Sequence, residues 1–127
     1  MKHNAMDIYT AVQISVTAQE VRVTPLVRVP DFQHFHASRV LGGGSKVLLS
    51  PCGYQRNSKK MVDQCKYPPI GHRSVTDAQP MLDFQIYPMG EATQAVNSAT
   101  FLVIILETPL VIFNVHEIAA IPAWMHC

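Results

Sequence analysis

Two dense apolar runs, at about 100–106 and 110–115, dominate the pattern of apolar and polar positions along the chain. Valine, isoleucine and phenylalanine fill both runs, and these residue types favour β-strands. Glu107 and Pro109 lie between the runs, and a membrane-spanning helix needs about 20 mainly apolar residues. The pattern therefore predicts two buried strands and no membrane span. One kinked, buried helix is the alternative, because short apolar runs do not distinguish the two by periodicity.

Alternation of apolar and polar residues marks several further strands. In residues 7–18, Ile8, Val12 and Ile14 share one face, while Tyr9 faces the other way. The same pattern predicts strands at 21–29, 32–41, 46–50 and 81–88, with a short helix at 91–100 and a helical turn at 58–66. The predicted fold class is mainly β, an antiparallel sandwich or small barrel of about six or seven strands with one or two short helices.

The length of 127 residues suits one β-rich domain, residues 1–127. Residues 42–45, which include three glycines, are interpreted as a loop tip. Residues 54–80 lack periodicity and form a long basic excursion, which in a small domain is usually functional or interfacial. Phe101 and Ile105 are the expected centre of the core, where truncation to alanine removes about 2–5 kcal/mol of stability.

The charge distribution suggests a partner. Charged residues make up only 15% of the chain, and residues 39–73 carry a net charge of +6 while residues 74–127 carry −5. Such segregation lets the basic segment of one subunit meet the acidic segment of another. The predicted function is a non-enzymatic structural or interaction module in a homo-oligomer or larger assembly, of which a virion or phage particle is one example.

The beginning of the chain and its cysteines favour an intracellular location. Residues 1–10 contain no apolar segment of the kind that a signal peptide requires. Cys52, Cys65 and Cys127 are an odd number, which is typical of reduced thiols in a cytosolic setting.

His34 and His36 are the candidate metal ligands. They flank Phe35 on a predicted strand, and alternation places both imidazoles on one face, where they can bind a single divalent metal. Two partly buried histidines without a metal are the alternative. No cofactor is predicted. A divalent metal at His34 and His36 is the one cofactor that the sequence leaves open.

A few residues resemble the motifs of the cupin barrels. The paired histidines precede Pro88-Met89-Gly90 and Asn97, as the two cupin motifs require. The resemblance implies a small β-barrel that binds a metal or a small ligand. It leaves open whether such a barrel is an enzyme. This sequence has no acidic residue at position 40 or 41, and Thr93 stands where the family has its last histidine.

The basic excursion is the candidate site for nucleic acid or for an acidic partner. Lysine and arginine neutralise phosphate and aromatic rings stack on bases, which together suit a single-stranded nucleic acid. The residues concerned are Tyr54, Arg56, Lys59, Lys60, Lys66, Tyr67 and Arg73. An ordinary solvated loop is the alternative.

Overall fold

A computed structural model of the chain describes residues 5–30, 34–51 and 55–122. Helices and strands alternate along this part of the sequence, and about 50% of the structure is helical. In chain order the elements are α1 (Ile8–Glu20), β1 (Leu26–Arg28), α2 (His34–Gly42), β2 (Val47–Pro51), α3 (Gln55–Cys65), a 3₁₀ turn (Pro80–Leu82), α4 (Met89–Ala99), β3 (Phe101–Ile105), α5 (Pro109–Phe113) and α6 (Val115–Ala119).

The three strands form one parallel sheet in the order β1-β2-β3. Leu26 pairs with Val47, and Val47 pairs with Phe101. Parallel neighbours need a crossover connection, and a helix usually supplies it; α2 lies between β1 and β2, and α3 and α4 lie between β2 and β3. The predicted antiparallel sandwich or barrel is therefore wrong, and the fold is α/β.

The two faces of the sheet are buried to different extents. Successive side chains of a strand point to opposite faces. Leu48 and Leu102 are each 1% exposed and belong to a core built with α2 and α3. The opposite face, here called the open face, is only partly covered in the described structure. It carries Leu26, Arg28, Val47, Leu49, Pro51, Phe101, Val103 and Ile105.

This difference corrects the predicted core. Phe101 and Ile105 are half-buried, whereas Leu102 between them is almost fully buried. The apolar run was correctly identified as a strand, but its buried face is that of Leu102 and Ile104.

The alternating segment at 7–18 forms helix α1 and not a strand. The Asp7 side chain caps the helix by accepting a hydrogen bond from the Thr10 backbone N–H at 2.7 Å. The buried positions are Ala11 and Ser15, one helical turn apart, while Ile14 is 52% exposed. Small residues make the packed face here, so the apolar alternation does not indicate burial.

Two other predicted strands are helices for reasons visible in the sequence. In α2, Ala37, Val40 and Leu41 are buried at the i, i+3, i+4 spacing of a helix. In α5, the Thr108 side chain accepts a hydrogen bond from the Val111 backbone N–H, and Pro109 occupies the first turn. A capping threonine followed by proline is a helix start signal, so the predicted strand at 110–115 is wrong.

Of the remaining predicted elements, some are confirmed and others are wrong or differ in length. The strand at 46–50, the strand at 100–106 and the helix at 91–100 are confirmed as β2, β3 and α4. The strand predicted at 21–29 is reduced to β1, and residues 81–88 contain part of the 3₁₀ turn and no strand. The excursion at 54–80 contains α3, which is longer than the predicted turn.

The glycines at 42–44 close the end of α2 against α1. A side chain at Gly43 would place its Cβ 2.1 Å from a methyl carbon of Val12, and Gly44 has a φ of +100°. Glycine is required at both positions, by close approach at the first and by the left-handed backbone at the second. Within the described ranges, none of the helices is long and apolar enough to cross a bilayer.

We expect Leu102→Ala to lower the free energy of unfolding by about 2–5 kcal/mol, because it leaves a cavity under the covered face. Urea unfolding followed by circular dichroism measures the loss. Ile105→Ala on the open face is the control and should cost less. Equal costs would contradict the assignment of the two faces.

Candidate active site

The carboxyl ends of the parallel strands bring two charged residues to one edge of the sheet. β1 ends at Arg28, and Glu107 follows β3 by two residues. Ligands of parallel α/β sheets generally bind outside the carboxyl ends of the strands. The edge that holds Arg28 and Glu107 is therefore the candidate site.

Arg28 and Glu107 are in direct contact although 79 positions separate them in the sequence. The Arg28 Nη2 donates to Glu107 Oε1 at 2.5 Å. β2 lies between their strands, and Arg28 is in register with Leu49, which is in register with Val103. Since paired residues of a sheet share a face, the guanidinium projects from the open face.

The pair is partly accessible and partly unsatisfied. The side chains of Arg28 and Glu107 are 29% and 43% exposed. The Arg28 Nε is buried and has no hydrogen-bond partner among the described residues. An unsatisfied buried donor costs about 1–3 kcal/mol. This cost is offset when an anionic group accepts the hydrogen bond.

Arg28 also lines an open cavity of about 350 Å³ between α1 and β1. Most of the remaining lining is uncharged and apolar, including Met6, Ile14, Val23, Pro25 and Leu26. A charge in such surroundings interacts more strongly than in water. A guanidinium binds a carboxylate through two parallel hydrogen bonds, so this edge can hold a small carboxylic acid beside the carboxylate of Glu107.

The sequence relates this chain to a known protein family. The sequence profile of the HpcH/HpaI aldolase/citrate lyase family matches residues 2–126. The chain belongs to this family. A 4-hydroxy-4-methyl-2-oxoglutarate aldolase of Chaetomium globosum is 29% identical over 125 residues, which are 95% of this chain and 46% of that protein. Another of the same description, from Hapsidospora irregularis, is 27% identical over 95% of this chain and 46% of its own length.

The family fold is also seen among solved structures. The crystal structure of an HpcH/HpaI aldolase from Desulfitobacterium hafniense superposes with a TM-score of 0.89 at 24% identity, over 97% of this chain and 48% of that one. The shared fold is a TIM-barrel-like α/β fold. This chain spans about half the length of the aldolases it matches.

Family membership overturns the predicted function. It points to an enzyme and not to a non-enzymatic structural module. It also contradicts the interpretation of the chain as an all-β component of a virion or phage particle. The charge segregation, interpreted as a sign of assembly, occurs in a chain of an aldolase family.

The paired histidines are placed differently from the prediction. His34 and His36 lie in helix α2, where residues two apart do not face each other. The strand geometry that motivated a shared metal is therefore wrong, and with it the resemblance to a cupin barrel. The His36 Nδ1 is buried without a partner among the described residues. Metal binding by these two residues stays a prediction.

The basic residues of the excursion do not form one surface. Tyr54 lies outside the described residues, and Arg56, Lys59 and Lys60 are exposed on α3. The last three, Lys66, Tyr67 and Arg73, are at most 5% exposed. A buried tyrosine cannot stack on a base, so the predicted single-stranded nucleic-acid contact is unsupported.

Sequence reasoning missed both Arg28 and Glu107. The available signal was a charged residue directly at the carboxyl end of an apolar strand, in residues 26–28 and again in residues 101–107. The missing information was the strand order, because these two ends meet only when β1 and β3 both pair with β2 and run in the same direction.

We expect the Arg28–Glu107 ion pair to contribute little to stability, because partly exposed pairs are screened by solvent. A double-mutant cycle with Arg28→Gln and Glu107→Gln, measured by urea unfolding, should give a coupling energy below about 1 kcal/mol. A coupling of about 3 kcal/mol or more is typical of a buried structural pair and would argue against a site kept for function.

We also expect Cys65 to be unreactive in the folded chain. It is a free thiol, and burial raises its pKa to about 12, with the nearby charges of Arg73 and Lys66 acting in the opposite direction. Because the thiolate is the reactive form, iodoacetamide at pH 9 should label Cys65 in urea-unfolded protein and leave it unlabelled in folded protein. Peptide mass spectrometry resolves this site, and rapid labelling of the folded protein would contradict its burial.

Proposed function

We propose that Arg28 and Glu107 belong to the active site of an aldolase that cleaves a 2-oxo acid. The observation that supports this most directly is the ion pair at the carboxyl edge of the sheet, in a chain that belongs to an aldolase family. The two curated relatives are both described as 4-hydroxy-4-methyl-2-oxoglutarate aldolases. A branched 2-oxo dicarboxylic acid is accordingly the proposed substrate class.

The chemistry of such a substrate is a retro-aldol cleavage. The C4 hydroxyl loses its proton, its oxygen forms a carbonyl, and the C3–C4 bond breaks. The bonding electrons move to C3, where the 2-oxo group delocalises them as an enolate. Protonation at C3 then completes the reaction, and 4-hydroxy-4-methyl-2-oxoglutarate yields two molecules of pyruvate.

Arg28 would bind a substrate carboxylate. Its guanidinium presents several donors, one of which, the Nε–H, has no partner among the described residues. It would also favour negative charge that develops on the adjacent oxygens, since donors fixed before the reaction stabilise charge without reorganising. Glu107 holds the guanidinium in position through the 2.5 Å contact and leaves it when a substrate carboxylate competes.

A divalent metal such as Mg²⁺ is common among aldolases of this family. Such ions prefer several oxygen ligands. Glu107 offers one carboxylate at the candidate site. Among the described residues, no three histidine, cysteine or acidic side chains lie close enough together to hold a metal ion. The described residues therefore do not constitute a metal site by themselves, and the roles proposed for Arg28 and Glu107 do not depend on a metal.

Homo-oligomerisation is a further part of the proposal. Members of the family are often oligomeric. Several apolar side chains are strongly exposed in this chain, among them Leu110, Ile112 and Phe113 in the single helix α5. Contiguous exposed apolar patches mark contact surfaces, and α5 is the proposed position of such a patch.

Pyruvate release tests the proposed activity. Purified protein supplied with Mg²⁺ and 4-hydroxy-4-methyl-2-oxoglutarate should form pyruvate, measured through lactate dehydrogenase and loss of NADH absorbance. Arg28→Gln should lower kcat/KM by about 10²-fold or more, as removal of a charge-stabilising donor does. Glu107→Gln should lower it less, because the guanidinium remains but is no longer held in position.

Two exposed residues provide matched controls. Arg56→Gln and Glu91→Gln remove the same charges from α3 and α4 and should leave kcat/KM unchanged. Circular dichroism shows whether each variant is folded. Absence of pyruvate with folded wild-type protein, or equal activity in the site and control variants, would overturn the proposal.

A further inference from the structure

A second cavity, of about 310 Å³, lies between α2, α3 and the segment that follows α3. Lys66, which precedes the lining residue Tyr67, donates to the carbonyl oxygen of Thr100 directly before β3, at the opposite edge of the sheet from the candidate active site. This places the cavity near the amino edge of the sheet. The polar side chains that line it include Ser38, Arg39, His72, Arg73, Ser74 and Thr76, and none of the described residues in its lining is an aspartate or glutamate.

Arg73 is held in this cavity from one side. Its guanidinium carbon lies 4.6 Å from the centre of the Tyr67 ring, and its Nη1 is 3.5 Å from the Cys65 carbonyl oxygen. The Tyr67 hydroxyl is itself fixed, since it donates to Gln79 Oε1 at 2.8 Å. The Arg73 Nη2 lies near Gly42, which also lines the cavity and has no side chain to fill the space beside it. The arginine is therefore oriented before any ligand arrives.

The positive charge around Arg73 is not neutralised within the described part of the chain. Arg73 and Lys66 are each 5% exposed, and no described carboxylate forms an ion pair with either. The Lys66 Nζ donates instead to the carbonyl oxygens of Asn97 and Thr100, at 2.6 Å each. Burial lowers the pKa of both groups.

Asp63, the acidic residue nearest to Lys66 along the chain, already contacts another side chain. Asp63 Oδ1 contacts His72 Nδ1 at 2.5 Å, at the rim of the cavity. Buried cations are usually paired with an anion. Arg39, which is exposed on α2, adds a second guanidinium to the same lining.

We propose that this cavity binds a phosphate group, contacted by the guanidinium groups of Arg39 and Arg73. Two arginines on separate elements suit a doubly charged oxyanion, because each can donate two hydrogen bonds to it. The hydroxyls of Ser74 and Thr76 line the same cavity and can donate to the remaining oxygens. The phosphate comes either as the free ion or as part of a phosphate monoester. This inference does not depend on the proposed aldolase activity.

Calorimetric titration at constant ionic strength tests the site, with inorganic phosphate as the probe. Wild-type protein should bind one phosphate saturably. Arg39→Gln should weaken binding at least tenfold, because it removes one charged donor pair without disturbing a buried residue. Arg56→Gln makes the same change on the exposed surface of α3 and should bind as the wild type does. No saturable binding, or equal binding by the two variants, would overturn the site.

Two further measurements identify where phosphate binds and from which source it comes. The backbone amide NMR signals of Ser74 and Thr76 should shift during titration, and shifts confined to other residues would contradict the location. Glycerol phosphate is the second probe. If it binds more tightly than inorganic phosphate, the site is for a monoester; if it binds more weakly, the site is for the free ion.

Discussion

The parallel pairing of β2 with both β1 and β3 is the constraint on which the rest of the structure depends. Parallel strands must be joined by crossovers, and the crossover helices α2 and α3 cover one face of the sheet around Leu48 and Leu102. The same pairing brings the carboxyl ends of all three strands to one edge. The contact between Arg28 and Glu107 is a consequence of this arrangement, because neither residue is near the other in sequence.

The elements predicted correctly are those whose local pattern agrees with their environment. The apolar run of β3, the short run of β2 and the helix-forming residues of α4 each form the element that their local pattern favoured. Helix α1 does not. Its β-branched residues alternate as in a strand, while Ala11 and Ser15 form a narrow packed face that hydropathy does not detect. Only the packing of Val12 against Gly43, which follows α2 and leaves no space for a Cβ, decides between strand and helix.

The candidate site could not be predicted from the sequence for a related reason. Arg28 ends β1 and Glu107 follows β3, and their proximity requires these two strands to lie on either side of a third and to run in the same direction. His34 and His36, in contrast, are close in sequence, so a pattern search finds them easily, but they lie in helix α2 and not on a strand. The buried Lys66 and Arg73 were counted with exposed basic residues because a lysine or arginine is buried so rarely. Composition identifies charge but not which charges are desolvated.

The order of the sheet also has a consequence for how the chain reaches its folded state. Leu26 pairs with Val47 across a connection that contains helix α2, whereas Val47 pairs with Phe101 across a longer one that contains α3 and α4. The entropy lost on closing a loop grows with its length, and non-local parallel pairing is intrinsically slow. We therefore expect β1 and β2 to associate first and β3 to dock last. The acidic half of the candidate site then arrives only in the final step, so a partly folded chain holds Arg28 without its partner.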